Sequence, residues 1–209
     1  MTIGNPVPQI VDIRWFKING LDIDVDKIIT LDIFESIAFP GITGTVVMQD
    51  WTALKEIGNL TTGDLVEISF SAQGDPPLDL IYMITESYGD WAKIDMTLHA
   101  EISFGFCSPW LLRGFTQKRS RPFINKRIDE IVQTLVEECG GTINPLAFIP
   151  TKQILPRFVS PYWSPIETIR YLMTFAMDEV GNGGYCLWTE IDGDLVNFMP
   201  VENLFNGIY

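Results

Sequence analysis

The feature that most constrains the fold is a hairpin signature near the N-terminus. Val11, Ile13 and Trp15 occupy alternate positions, Asn19-Gly20 follows, and Leu21, Ile23 and Val25 alternate with Asp22, Asp24 and Asp26. Period-two apolarity marks strands with one buried face. An Asn-Gly pair tolerates the positive φ that a two-residue hairpin turn demands. Further alternating or β-rich runs occupy 28–34, 44–48, 65–70, 78–84 and 94–102, separated by turn-rich segments such as Gln73-Gly74-Asp75-Pro76-Pro77 and Tyr88-Gly89-Asp90. About seven short strands with no long helix between them predict an antiparallel barrel or sandwich, not a parallel α/β sheet.

The pattern changes near Ser108-Pro109. Arg113, Lys118, Arg119, Arg121, Lys126 and Arg127 form a basic stretch that reads as a linker running into a helix. Ile124, Ile128, Ile131, Val132, Leu135 and Val136 recur at helical spacing, and Gly140-Gly141 offers a left-handed stop. A second helix starts at Ser164-Pro165-Ile166-Glu167, a capping box with Pro in the first turn. Its stripe of Ile169, Leu172, Met173, Ala176 and Met177 runs to Gly181. Tyr185, Leu187 and Thr189, the Asp192-Gly193 turn, and Val196 with Phe198 form a closing hairpin. The expected fold class is therefore α+β: an antiparallel β-barrel over residues 1–108, then a small α+β domain over 109–209 with two helices and a β-hairpin. Residues 109–122 would be the linker.

A chain of 209 residues, 46% of them hydrophobic, can bury a core without disulfide or metal staples, and disorder is excluded. With 27 Asp plus Glu against 14 Lys plus Arg, the net charge of −13 argues against a sequence-independent nucleic-acid clamp, which needs cations to neutralise phosphates. Cys107, Cys139 and Cys186 are odd in number and widely spaced, so they read as buried free thiols in a reducing compartment. The N-terminal residues lack a basic, then apolar, secretory pattern. No window approaches the ~18 uninterrupted apolar residues of a membrane-spanning helix.

Chemistry is conspicuous mainly by its exclusions. The single histidine, His99, rules out sites needing two imidazoles, and its place opposite the apolar face of the 94–102 run makes it a solvent-side strand residue. No nucleophile elbow or phosphate-binding glycine loop occurs; Gly181-Asn182-Gly183-Gly184 follows a helix and reads as its stop. Zinc-ligand spacing is missing as well. Asp22, Asp24 and Asp26 would lie on one strand face about 7 Å apart, a water-facing stripe before a weak Ca²⁺ platform. Trp51, Trp91, Trp110 and Trp163, near turns, could cover a core edge or form a partner surface. The basic stretch, interleaved with Phe115 and Phe123, is more economically a cationic segment facing an acidic neighbouring subunit than a nucleic-acid contact. No catalytic, cofactor-binding or metal residue is assigned, and no cofactor is expected.

Several segments, taken in order, resemble the central baseplate hub protein of contractile-tailed bacteriophages of the T-even type, whose relatives form the hub part of type VI secretion spikes. They are Ile29-Thr30-Leu31-Asp32-Ile33-Phe34-Glu35-Ser36, Gly44-Thr45-Val46-Val47-Met48-Gln49-Asp50 and Gly63-Asp64-Leu65-Val66-Glu67-Ile68-Ser69. Arg121-Pro122-Phe123 ahead of Ile128-Asp129-Glu130-Ile131, then Trp163-Ser164-Pro165-Ile166-Glu167, and Gly184-Tyr185-Cys186-Leu187-Trp188 with Asp192-Gly193 complete the series. None of these is a catalytic motif.

The resemblance implies a non-enzymatic structural virion protein: a homotrimeric hub in the tail baseplate, assembled in the host cytoplasm, joining tail-tube or tube-initiator proteins to the central spike. DNA would pass an acid-lined channel without specific binding. A complete hub of this family continues into a second barrel. The chain is therefore expected to be the N-terminal part of a longer hub, or a shorter or split version. A cell-wall hydrolase using a carboxylate pair and a carbohydrate-binding barrel using its tryptophans are the alternatives.

Overall fold

The computed structural model describes residues 11–50, 60–72, 76–88, 100–192 and 194–205. In chain order the elements are β1 (Val11–Ile18), β2 (Leu21–Ile23), β3 (Ile28–Phe34), β4 (Thr43–Asp50), β5 (Leu65–Ala72), β6 (Leu78–Tyr88) and β7 (Ala100–Cys107). Then follow α1 (Pro109–Thr116), β8 (Arg119–Arg127), α2 (Ile128–Glu138), β9 (Thr142–Phe148), β10 (Ile154–Trp163), α3 (Pro165–Met173), β11 (Tyr185–Thr189), β12 (Leu195–Pro200) and α4 (Val201–Phe205). The class is α+β. Two compact units divide the chain, Met1–Leu31 with Val46–Phe104, and Asp32–Thr45 with Gly105–Tyr209, so the dividing line falls within β3, β4 and β7.

The first unit is built on the expected hairpin. Phe16 pairs with Ile23 and Ile18 with Leu21, leaving Asn19 and Gly20 as the turn with φ of 51° and 78°. Asn19 also anchors the turn to β5: its N–H donates to the Leu65 carbonyl and its Oδ1 accepts the Leu65 N–H, both at 2.9 Å. β1 pairs antiparallel with β5 and β5 with β6, within a sheet ordered β2-β1-β5-β6-β7-β4-β3. Alternation sends Phe16, Ile18, Val66, Ile68, Tyr82 and Ile84 into one core, where the Phe16 and Phe104 rings lie 6.5 Å apart. The return strand is shorter than its alternation suggested. It ends at Ile23, because the Asp24 carboxylate accepts the Asp26 N–H at 3.2 Å and caps a 3₁₀ turn over Val25–Lys27. A short polar side chain that can bond its own backbone competes with the strand ladder.

In the second unit the expected linker is instead a helix and a strand. Residues 109–116 form α1, and Arg119–Arg127 pair antiparallel with β10 as a two-stranded ribbon, Phe123 opposite Phe158. Cation density concealed the alternation of Arg119, Arg121 and Phe123, and Pro122 is tolerated because a two-stranded ribbon leaves each strand an outer edge. Ile124, expected on the helical stripe, lies on this ribbon; α2 begins only at Ile128. α3 has the expected capping box: Ser164 Oγ accepts the Glu167 N–H at 3.2 Å and Glu167 Oε2 accepts the Ser164 N–H at 2.7 Å. It ends at Met173, short of Gly181. Tertiary bonds pull the chain out of the helix: the Met177 N–H donates to Gln153 Oε1 at 3.0 Å and its carbonyl accepts the Lys152 N–H at 2.9 Å.

The closing hairpin pairs Tyr185 with Pro200 through Thr189 with Val196. Beyond it lies a partner the periodicity did not announce, β9, which runs parallel to β12. α1, α2, α3, the ribbon and this sheet enclose a continuous core that includes Trp110, Ile131, Leu135, Ile166, Ile169 and Phe198. No helix among the described residues is long and apolar enough to cross a membrane.

Candidate interaction surface

The second unit carries a shallow apolar groove and, on another side of α3, a row of aromatic rings. α3 is positioned for both by its cap and by close packing on α1, where a Cβ on Gly114 would lie 2.9 Å from Ile166 Cγ1. Across from α3, the 37–40 segment is fastened to β11: Thr189 Oγ1 donates to the Pro40 carbonyl at 2.9 Å and accepts from Trp110 Nε1 at 3.3 Å. Between them Ile37, Pro40, Ile169, Met173 and Leu187 line a cavity of about 190 Å³, with Arg170 contributing the one charge. Small-molecule sites usually need roughly 300 Å³ or more. The groove suits a single apolar side chain of a partner better than a substrate.

The aromatic row runs from the ribbon across α3. Phe123 stacks on Phe158 at 6.2 Å, Phe158 on Tyr171 at 6.1 Å, and Tyr171 meets Trp163 and Phe175 edge-on at 5.2 and 5.1 Å. Tyr171 sits in the last turn of α3 and Phe175 in the turn just beyond its end at Met173. Phe123 is buried, but Tyr171 and Phe175 remain 43% and 52% exposed. Two cations lie against rings, Arg121 over Phe123 at 5.1 Å and Arg170 over Phe115 at 5.6 Å. Exposed aromatics beside arginine are the side chains that dominate protein–protein contacts.

Most of the basic stretch is answered within the chain. Arg119 and Arg121 both pair with Glu138, Arg127 with Asp129 at 2.9 Å, and Lys126 with Glu130 at 3.8 Å. Arg113 donates to the Cys139 carbonyl at 3.3 Å. The Asp22, Asp24 and Asp26 stripe is broken: Asp22 pairs with Lys17 at 3.4 Å, and Asp24 caps a turn. Trp110 is core, Trp163 belongs to the aromatic row, and Trp51, Trp91 and His99 lie outside the described residues. Cys107 and Cys139 are buried and Cys186 half-buried, all unpaired. In the 178–184 loop, Asp178 accepts the N–H groups of Gly181 and Asn182 at 2.7 Å. This fastens the segment that the glycines let turn, Gly181 having φ of 105°. Among the described residues no group of three or more His, Cys, Asp or Glu could hold a metal ion.

Sequence reasoning passed over Tyr171 on α3 and Phe175 just past it, because exposed aromatics lie off the apolar stripe. It also passed over Asp194. That carboxylate accepts from Ser108 Oγ at 3.2 Å, and burial pushes it up from 3.8 to about 6.

No family model matches the chain, and no curated protein matches it in sequence. Solved structures do. The 43 kDa tail protein of prophage MuSo2 from Shewanella oneidensis superposes with a TM-score of 0.61 at 11% identity, over 90% of this chain and 53% of that one. A tail protein from Neisseria meningitidis gives 0.55 at 11% identity, over 90% and 51%. An Escherichia coli component of the type VI secretion system, itself structurally similar to the T4 bacteriophage tail proteins gp27 and gp5, gives 0.53 at 14% identity, over 88% and 47%. The chain spans about half the length of these solved chains. At such identities it is the fold that is shared: the chain folds like phage tail proteins and a type VI secretion component, the group to which its hub-like segments pointed.

Proposed function

We propose that the chain is a structural component of a phage tail, a baseplate hub that connects the tail tube to the central spike as a trimeric ring. One observation carries this reading: a fold shared with tail proteins and a type VI secretion component over about nine-tenths of the chain. The groove, too small for most small-molecule ligands, and the exposed aromatic row suit a protein that works by contact area and symmetry.

Within this reading residues 1–108 form the hub barrel and 109–209 the α+β domain. The hub carries no catalytic, cofactor or metal residue. It works in the virion baseplate after assembly in the host cytoplasm. DNA passes its acid-rich channel without specific binding, since like charge prevents adhesion.

Light scattering on the purified chain, alone and mixed with its cognate spike, tests the proposal. A trimer, or a complex with spike in threefold stoichiometry, is expected. A strict monomer that never binds spike overturns it, and peptidoglycan turnover by the purified chain would move the reading to a hydrolase.

A further inference from the structure

The ribbon of β8 and β10 has two faces of different fate. Phe123 and Phe158 point inward and stack, while Pro122, Ile124, Arg157 and Val159, paired across the strands, occupy the other face. Ile124 is 64% exposed and Val159 47%, so two branched apolar side chains stand in water on neighbouring strands. Charge accompanies them. The two strands hold five of the 14 basic residues and no acid. Glu138, Glu130 and Asp129 answer four of these cations, and among the described residues Arg157 has no ion pair. By the strand alternation Arg119, Arg121 and Arg127 share the Phe123 side, so the outer face itself carries Lys126 and Arg157 and no acid around its apolar centre.

The first unit is its complement. Met1–Leu31 with Val46–Phe104 holds 14 of the 27 acids against five bases. Asp12, Asp22, Asp24 and Asp26 are exposed along β1, β2 and the following turn. β2 is an edge strand of its sheet, and Leu21 on it is 50% exposed, so here too an apolar side chain sits among charges, now negative.

We infer that the outer face of the β8–β10 ribbon docks on the acidic first unit of a second copy of this chain. Apolar contact between Ile124, Val159 and the β2 edge supplies affinity, while Arg157 and Lys126 facing carboxylates set orientation. Two different surfaces meet in such a contact, which is heterologous and closes into a ring when the rotation permits. The inference rests on the ring reading and names the surfaces that would build it.

The test is sedimentation velocity on the wild-type chain and on Ile124→Glu with Arg157→Glu. Both side chains are exposed, so far-UV circular dichroism should not change, which separates lost assembly from misfolding. Assembly should weaken at least about ten-fold, as expected for losing a central anchor and its charge. Zero-length coupling of Lys126 to first-unit carboxylates, in a mixture of isotopically light and heavy protein, should give peptides linking one copy to another. A wild-type chain that never assembles overturns this contact together with the ring. An assembly that the double variant leaves unchanged, or cross-links that avoid the first unit, overturns the contact and leaves the ring standing. Duplex DNA retained by the wild type and lost by a still-assembled variant would overturn it in favour of nucleic acid.

Discussion

Replacing Gly44 by alanine is the sharpest probe of the fold, because its effect follows from distances. Gly44 lies on β4, and a Cβ built there would stand 2.3 and 2.4 Å from two carbons of the Phe106 ring and 2.5 Å from the Asp32 carbonyl oxygen. Phe106 is 1% exposed and has no room to swing away. The Asp32 oxygen is backbone, held within β3. Overpacking of this kind costs about 3 kcal/mol, whereas the entropy lost by glycine in a strand returns at most about 1 kcal/mol on substitution. The net expectation is about 2 kcal/mol of destabilisation. With a slope of about 2 kcal/mol/M, the urea midpoint should fall by about 1 M. Tryptophan fluorescence and far-UV circular dichroism would follow the transition. Adding Phe106→Leu should recover only part of the loss, since the carbonyl clash persists. A Gly44→Ala midpoint within about 0.2 M of wild type would refute the reasoning, because it would mean that strands β3, β4 and β7 do not approach as described.

Other outcomes can be checked independently. Asp194 is raised from 3.8 to about 6, so its contribution to stability is present below about pH 4 and is lost as pH rises through 6. Asp194→Asn keeps an acceptor for Ser108 and suits the φ of 50° there. After allowance for partial solvent screening, it should stabilise the chain by about 1–2 kcal/mol at pH 7 and flatten denaturant midpoints between pH 4 and 6; an unaltered pH profile would contradict this. Ser164→Ala removes the α3 cap and should cost about 1 kcal/mol, read as a lower melting temperature; no change would mean that the cap is dispensable. Burial pushes the Cys107 thiol up to about 12 and raises Cys139 and Cys186 as well, so access decides the order: a thiol reagent should label half-buried Cys186 first in the native protein and all three together in denaturant. Equal native rates at Cys107 and Cys186 would argue against the described core.

Local signals carried the elements whose cause is local. The Asn19-Gly20 turn, the β5 strand, the Ser164-Pro165-Ile166-Glu167 cap and the β11–β12 hairpin are each written within a few residues, and each stands where it was expected. β1 is a strand as expected, but a register shift between Ile13 and Trp15 buries Phe16 and Ile18 instead of the Ile13 and Trp15 face. The amphipathic stripe from Ile128 to Val136 was equally plain. What failed was decided by distant partners. β8 is a strand because β10, some thirty residues later, pairs with it and because Phe123 and Phe158 bury each other; alone, its arginines look like a solvated linker. α3 stops at Met173 because the backbone at Met177 bonds to residues 152 and 153.

The same division holds for the surface on which the function rests. From its sequence alone the chain is an α+β protein with a strand-rich first half, a charge of −13, too little histidine for imidazole chemistry and a hub-like order of segments. Only the tertiary structure turned the basic stretch into one strand of a ribbon, compensated most of its charges with Glu138, Glu130 and Asp129, and left Ile124, Val159, Tyr171 and Phe175 in water. The physical reason is range. Turns, caps and periodicities arise between neighbours along the chain, whereas exposure and charge compensation depend on which distant residues fold against them.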